Sequence, residues 1–416
     1  MIRSFYIDNF KSLVDFRLPP LPHELGGFTC LVGLNGAGKS TVLQAFDFIG
    51  HMATGQVENW LKQREWKKAD LTSRFLNRQL IRFELGIDVH GIGRVLWSGA
   101  FNTTKMRCTA ETVTVDGEEQ VLHISEGHLQ VSGTDSDPSV YYPLRSMKYT
   151  GSTLSFINVR EVHEALAALK HVAANLRSFD LLTPQSMRRR AKEATDIGYG
   201  GERLGAYLHG LDRPARDALS LAMQTFYPQL KAVGTKVLQG GMKDLRFEES
   251  YAVHNAAAAS LQTSSRQVND GMLRMLAILS QVSVPEPADS NMFATGIGQS
   301  CVLFDEIENG INPELVARLV ELLLHAKRQV IVTTHSPMIL NFLPDDVARQ
   351  AVLLLYRNGA GHTRVLRMFD LPSTQEKLKL LGPGEVFVDT DLEALPAEAE
   401  GVTTPSASTR ADDRRS

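Results

Sequence analysis

Gly33-Leu34-Asn35-Gly36-Ala37-Gly38-Lys39-Ser40 sets three glycines, a lysine and a hydroxyl at the spacing G-x-x-x-x-G-K-S, between an apolar run from Phe28 to Val32 and a helix-forming run from Thr41 to Ile49. Residues of these types in this order can hold phosphate. At a helix N-terminus the backbone N–H groups are unpaired and the helix dipole favours negative charge, so a loop of small residues entering a helix wraps its amides around phosphate oxygens. Gly33, Gly36 and Gly38 permit the backbone angles and the close approach, and the amides of Asn35, Ala37 and Thr41 belong to the same cradle. The Lys39 ammonium reaches the β- and γ-phosphates, and the Ser40 hydroxyl is placed to ligate magnesium. ATP with Mg2+ is the expected occupant.

A second group of reactive residues lies far downstream. Cys301-Val302-Leu303-Phe304-Asp305-Glu306 is an apolar run ending in two carboxylates, the pattern of a buried strand that delivers charge at its C-terminal end, where open α/β sheets bind ligands. Asp305 is expected to hold the metal, and Glu306 to orient or deprotonate an attacking water, a task that a pure binding site lacks. Val330-Ile331-Val332-Thr333-Thr334-His335 reads as a further strand, whose terminal His335 falls where a γ-phosphate would sit.

Elements must bring these residues together across roughly 265 positions between Lys39 and Asp305, too many for one crossover connection, so at least one subdomain is inserted into the nucleotide-binding sheet. The expected fold is α/β, a P-loop ATPase head with an antiparallel β lobe and an inserted helical subdomain. Residues 1–150 are expected to form an N-terminal lobe, with alternating strands over 80–135 such as Ile81-Arg82-Phe83-Glu84-Leu85. Residues 151–235 show helical spacing (Val162, Leu166, Leu169, Val172, Leu176) and make the inserted subdomain. Residues 236–392 return to the ATPase core, and 393–416, poor in apolar residues, read as a disordered tail.

The order of these motifs resembles the ATP-binding-cassette superfamily, in its SMC and RecF-like branch. The residues that carry the likeness are Ile7-Asp8-Asn9-Phe10-Lys11-Ser12-Leu13, the phosphate loop, the Asp-Glu strand followed by Glu308-Asn309-Gly310-Ile311-Asn312-Pro313, and Thr334-His335-Ser336-Pro337. A fifth match, Val268-Asn269-Asp270-Gly271-Met272-Leu273-Arg274, opens an apolar helix where this superfamily keeps its signature. The resemblance implies a homodimer or higher homo-oligomer in which Asn269, Asp270 and Gly271 of one copy cap the γ-phosphate held by another. Asn269 stands where a serine is usual, and an ordinary Asn-Asp helix cap is the competing reading of this segment. The glutamine that senses magnesium in such proteins has no counterpart between residues 136 and 165, where Asn158 is a candidate substitute. No sustained heptad array is present for a long coiled-coil arm.

Within that branch the chain is similar to compact AAA/RecF-like ATPases of bacterial anti-phage and abortive-infection modules, on Leu176-Arg177-Ser178-Phe179-Asp180-Leu181-Leu182-Thr183-Pro184, on 199–208 and on Leu381-Gly382-Pro383-Gly384-Glu385-Val386. The likeness implies a nucleotide-dependent switch that senses a trigger and controls a separate effector, a nuclease or toxin. The alternative is a DNA repair or recombination ATPase loaded on DNA by ATP-driven dimerisation.

Composition adds bounds. With 416 residues and 43% hydrophobic content the chain can bury a large core in two or three lobes. No apolar stretch approaches the ~18 residues of a membrane span, so a cytoplasmic protein without membrane contact is expected. Cys30, Cys108 and Cys301 sit singly in apolar context and lack zinc spacing. Arg188, Arg189 and Arg190 could meet nucleic-acid phosphates, although the net charge of −3 points to a solvated face or an acidic-partner contact. The cations and tryptophans from Trp60 to Lys68 could stack a base or lie over the core, and the second reading is favoured. Asp389-Thr390-Asp391 resembles a nuclease metal pair, but too little chain surrounds it for a nuclease domain.

Overall fold

The computed structural model describes residues 1–125, 127–132, 140–144, 147–158, 161–251, 259–284 and 301–399. Their strands are β1 (Ile2–Asp8), β2 (Phe16–Leu18), β3 (Phe28–Val32), β4 (Leu80–Val89), β5 (Gly93–Asn102), β6 (Arg107–Val115), β7 (Glu119–Ser125), β8 (His128–Val131), β9 (Val140–Pro143), β10 (Arg177–Phe179), β11 (Leu230–Val237), β12 (Lys243–Tyr251), β13 (Ala259–Ser264), β14 (Cys301–Phe304), β15 (Gln329–Thr333), β16 (Val352–Arg357) and β17 (Thr363–Arg367). The helices are α1 (Lys39–Ala53), α2 (Val57–Gln63), α3 (Glu164–Ala174), α4 (Pro184–Met187), α5 (Leu204–Gly210), α6 (Arg213–Phe226), α7 (Asp270–Val282), α8 (Pro313–Leu324), α9 (Pro337–Asn341), α10 (Asp345–Ala351), α11 (Pro372–Leu378), α12 (Pro383–Val388) and α13 (Leu395–Ala399).

The strands that carry the reactive residues share one sheet, ordered β10-β14-β15-β3-β16-β17 and parallel except for β17. Every residue of β3, β14 and β15 is buried, as expected of parallel strands covered on both faces. Strand alternation then divides the core. Leu31, Cys301, Leu303 and Ile331 point to one side and join the α1 aromatics Phe46 and Phe48, whereas Cys30, Val302, Phe304 and Val332 point to the other and meet α7 and α8.

The first of these cores continues into an antiparallel sheet of order β2-β1-β4-β5-β6-β7-β8-β9, which packs Phe5, Phe83 and Trp97 toward α1. Asp116 and Gly117 adopt left-handed φ values of 49° and 77° in the tight turn that joins β6 to β7.

Residues 151–235, expected as an inserted helical subdomain, are not helical throughout. They contain α3 to α6, but β10 enters the central sheet beside β14, and β11 begins a separate antiparallel sheet that β12 and β13 complete, against α5 and α6. Residues 393–399, expected to begin a disordered tail, include α13 instead, because Leu395 is buried in the core and Glu398 accepts hydrogen bonds from the Ser373 backbone N–H (2.9 Å) and hydroxyl (2.5 Å). The rest of that expected tail lies outside the described residues.

Candidate nucleotide site

β3 ends at Val32 and the chain turns at once. Gly33 (φ 144°) passes so close to β16 that a Cβ would lie 2.2 Å from the Leu355 carbonyl oxygen. Gly38 (φ 108°) is the N-cap of α1 and leaves that helix end without a side-chain cap, so its first amides are free to face an anion. Behind the loop, the Thr363 hydroxyl donates to Ala37 O (3.0 Å) and pairs with the Ser12 hydroxyl (2.9 Å), tying the loop to β17 and to the N-terminal Phe10-Lys11-Ser12 turn. Arg357 adds a hydrogen bond to Gly36 O at 2.8 Å.

Lys39 is buried and its ammonium donates to the carbonyls of Gly33 (2.7 Å) and Leu34 (3.2 Å). Burial lowers its pKa, opposed by Asp305, Glu306 and Glu308. A lysine held only by carbonyls of its own loop can exchange them for phosphate oxygens at little cost.

Asp305 follows β14 and points at the start of α1. Burial raises its pKa, opposed by hydrogen bonds from the hydroxyls of Ser40 and Thr333. The Thr333 hydroxyl donates to Asp305 Oδ1 and accepts from the Glu306 backbone N–H at 2.8 Å, so one side chain of β15 sets both acidic residues. Ser40 and Asp305 together are hard oxygen ligands on two elements that meet at the phosphate loop, a donor set that fits magnesium.

Glu306 has a left-handed φ of 45°, unusual for a side chain of this size. Its carboxylate is held at both oxygens, by His335 Nε2 at 2.8 Å and by Asn309 Nδ2 at 2.7 Å. The backbone N–H of His335 donates to Glu308 Oε1 at 3.1 Å. Glu306 and His335 are about two-fifths exposed (41% and 39%), open enough for a water to reach the carboxylate.

At the signature segment, the Asn269 side chain caps α7 by accepting from Met272 N at 2.7 Å. Asp270 is exposed and paired with Arg188 (2.7 Å), which also donates to the carbonyls of Ser265 and Val268, both at 3.0 Å. Gly271 lies against the loop after the Asp-Glu strand, where a Cβ would be 2.7 Å from Gly310 O.

Several residues at this site were not singled out from the sequence. Asp180 follows β10, beside β14, and is bound by Arg64 (2.7 and 2.8 Å), Gln44 (3.1 Å) and the Ser178 hydroxyl (3.1 Å). Burial raises the Asp180 pKa, but the hydrogen bonds and charge of Arg64, with the bonds from Gln44 and Ser178, together outweigh it and the net shift is downward. Asn158, by contrast, precedes α3, and its Nδ2 donates to Glu161 Oε1 at 2.6 Å. Position relative to β14 would have pointed to Asp180, but a three-residue strand after a helix leaves no periodic signal.

Other candidates fall elsewhere. Arg190 is paired with Asp244 at 3.1 Å and Arg188 with Asp270, while Arg189 between them is exposed. Trp60 is fully buried and donates to Asp47, while Arg64 bridges Asp47 and Asp180. Asp389 pairs with Lys377 at 3.1 Å, and no cluster of three or more metal-binding side chains occurs among the described residues. Cys30, Cys108 and Cys301 are buried free thiols, and no described helix is long and apolar enough to cross a membrane.

A phosphate loop on β3, acidic residues on β14 and a histidine after β15, all at the carboxyl ends of one parallel sheet, define the head of a P-loop ATPase. The chain belongs to the family described as "AAA domain, putative AbiEii toxin, Type IV TA system", which matches residues 28–93 and 159–341, more than half of its length. It is also 32% identical over 127 residues to an OLD nuclease of Thermus scotoductus, a match over 30% of this chain and 21% of that protein. The chain thus spans about a fifth of the length of that curated relative. Similar solved structures include the SMC head domain from Thermotoga maritima (TM-score 0.42, 13% identity, 88% of this chain and 98% of that one) and the Smc head with coiled coil and joint from Pyrococcus yayanosii (0.47, 11%, 95% and 99%). The recombination mediator RecF with ATP is another (0.40, 11%, 88% and 99%).

Proposed function

We propose that this chain is an ATP-hydrolysing switch whose two copies close on ATP, and that it controls a separate effector in anti-phage defence. The observation that carries the reading is the double restraint on Glu306: His335 and Asn309 fix a partly open carboxylate beside Asp305. Nucleotide binding alone has no use for such an arrangement.

In this reading the α1 amides, Lys39 and the loop from Gly33 to Thr41 bind the phosphates. Ser40 and Asp305 would hold Mg2+, which supplies charge neutralisation at the β- and γ-phosphates when bound. Glu306 takes the proton of the attacking water, and His335 keeps the carboxylate turned toward it. Asn269, Asp270 and Gly271 at the α7 N-terminus approach the γ-phosphate of the partner copy, with Arg188 offsetting the Asp270 charge. The effector role is supported by the AbiEii family relationship and by the OLD nuclease likeness.

The engagement of Arg188 and Arg190 with Asp270 and Asp244 favours a protein-partner switch over a DNA-loaded repair factor. Hydrolysis assayed with and without duplex and single-stranded DNA tests this choice. Rates unchanged by DNA are expected, and a several-fold stimulation lost on neutralising Arg189 would favour the repair reading.

A further inference from the structure

Arg274 lies in the second turn of α7, in the helix that the signature segment opens. Its Nη2 donates to two consecutive carbonyls, Asp305 O at 3.1 Å and Glu306 O at 2.9 Å. Successive carbonyls of an extended strand point to opposite sides. Here the left-handed turn at Glu306 brings them to one side, and Arg274 is the group that meets both.

A second contact joins the same two elements. Gly271 sits so near Gly310 O that no side chain would fit, and Gly310 ends the short loop whose Asn309 holds the Glu306 carboxylate. The first two turns of α7 and the base are therefore connected twice, through Arg274 to the Glu306 backbone and through Gly271 to the loop that restrains its side chain. Between Gly271 and Arg274 there is only about one helical turn, ~5 Å of stiff rod.

We propose that Arg274 is a positioning residue that couples closure of α7 on a partner's nucleotide to the alignment of Glu306 in its own subunit. The inference rests on the two-copy reading given above. When the α7 N-terminus takes up the phosphate of the neighbouring copy, the helix shifts along its axis. Arg274 carries that shift to the carbonyls of Asp305 and Glu306. Each base is then aligned only in a subunit whose own signature helix is engaged, so the two sites fire together rather than independently. A bulkier or shorter side chain at 274 leaves ATP binding intact and uncouples the base from closure.

The test is steady-state hydrolysis as a function of ATP concentration for the full chain, its Arg274→Ala and Arg274→Lys forms, and the Arg274→Ala/Glu306→Gln double variant, with affinity read by titration of a fluorescent ATP analogue. Arg274→Ala is expected to lower kcat by about 30-fold or more with KM and analogue affinity within about threefold. Its Hill coefficient should fall from near 2, the limit for two sites, to about 1. Lysine, whose ammonium can still reach a carbonyl, should recover part of kcat, and the double variant should be no slower than Glu306→Gln alone. A wild-type Hill coefficient near 2 that persists in Arg274→Ala overturns this inference and leaves the two-copy reading standing. A wild-type coefficient of 1 without ATP-induced association overturns the two-copy reading, and the coupling with it. Parallel loss of affinity, kcat and thermal stability in both the alanine and lysine forms reduces Arg274 to a structural brace.

Discussion

The Thr363 hydroxyl occupies the space that a side chain at Gly38 would need: a Cβ there would lie 2.3 Å from Thr363 Oγ1. The same oxygen donates to Ala37 O and pairs with Ser12, so the last glycine of the phosphate loop, an edge strand and the N-terminal turn are fitted to one another around a single atom. The loop therefore owes its shape to residues far from it in sequence.

Replacing Thr363 by valine keeps the shape and deletes the hydroxyl. Ala37 O and Ser12 lose their partner in a buried setting, which should cost about 1–3 kcal/mol in urea unfolding. ATP affinity should fall alongside, because the cradle loosens. Affinity unchanged at full destabilisation would show that the loop keeps its form unaided.

Asp180 and Arg64 form a buried pair, with side chains 3% and 2% exposed. Asp180→Asn leaves a buried guanidinium with only Asp47 as counter-charge and should cost about 3–5 kcal/mol. The sign with pH follows from the depressed folded pKa of Asp180: its contribution is complete above the unfolded carboxylate value and is lost as pH falls through the lower folded value. Wild type and Asp180→Asn should accordingly converge in stability as acid is added, measured by chemical denaturation between neutral pH and the acid limb.

Lys11 donates to Gln44 Oε1 at 2.9 Å and lies over the Trp66 ring. Burial, with the nearby Arg64 charge, lowers its pKa to about 8. Between that value and the ordinary lysine value the unfolded chain binds more protons, so this group makes stability rise with pH across that window. Lys11→Met should abolish that rise, seen as a wild-type minus variant difference that grows from pH 8 to pH 10. A constant difference would mean that Lys11 keeps its proton throughout.

His335→Ala should slow turnover by about 10²-fold while nucleotide affinity changes little, since His335 touches the Glu306 carboxylate and not the phosphate loop. Single-turnover rates separate the two quantities, and an equal loss in both would move His335 into the binding set.

What could be read from residue order was the chemistry that forces its own spacing. Gly33, Gly36, Gly38, Lys39 and Ser40 serve a phosphate in that sequence, and Asp305-Glu306 after an unbroken apolar run reads as a buried strand end. Hidden were residues whose role depends on neighbours from distant elements. Thr333 resembles any threonine of a β-rich run until β14 is laid beside β15, and Arg274 resembles a surface cation of an amphipathic helix until its partners are seen to be carbonyls. The sheet of β11, β12 and β13 escaped because β11 and β12 interrupt their few core residues, Leu230, Val233, Leu245 and Phe247, with many charged ones, and β13 is a short polar run.

Light scattering of Glu306→Gln with ATP and with ADP bears most directly on the two-copy switch. Removing the base should stop turnover and preserve binding, so with ATP the species should have twice the 46.0 kDa mass of the chain, and with ADP it should return to the single-chain mass. A particle of 46.0 kDa with ATP demonstrably bound would contradict the switch, because each nucleotide would then be held by one copy alone.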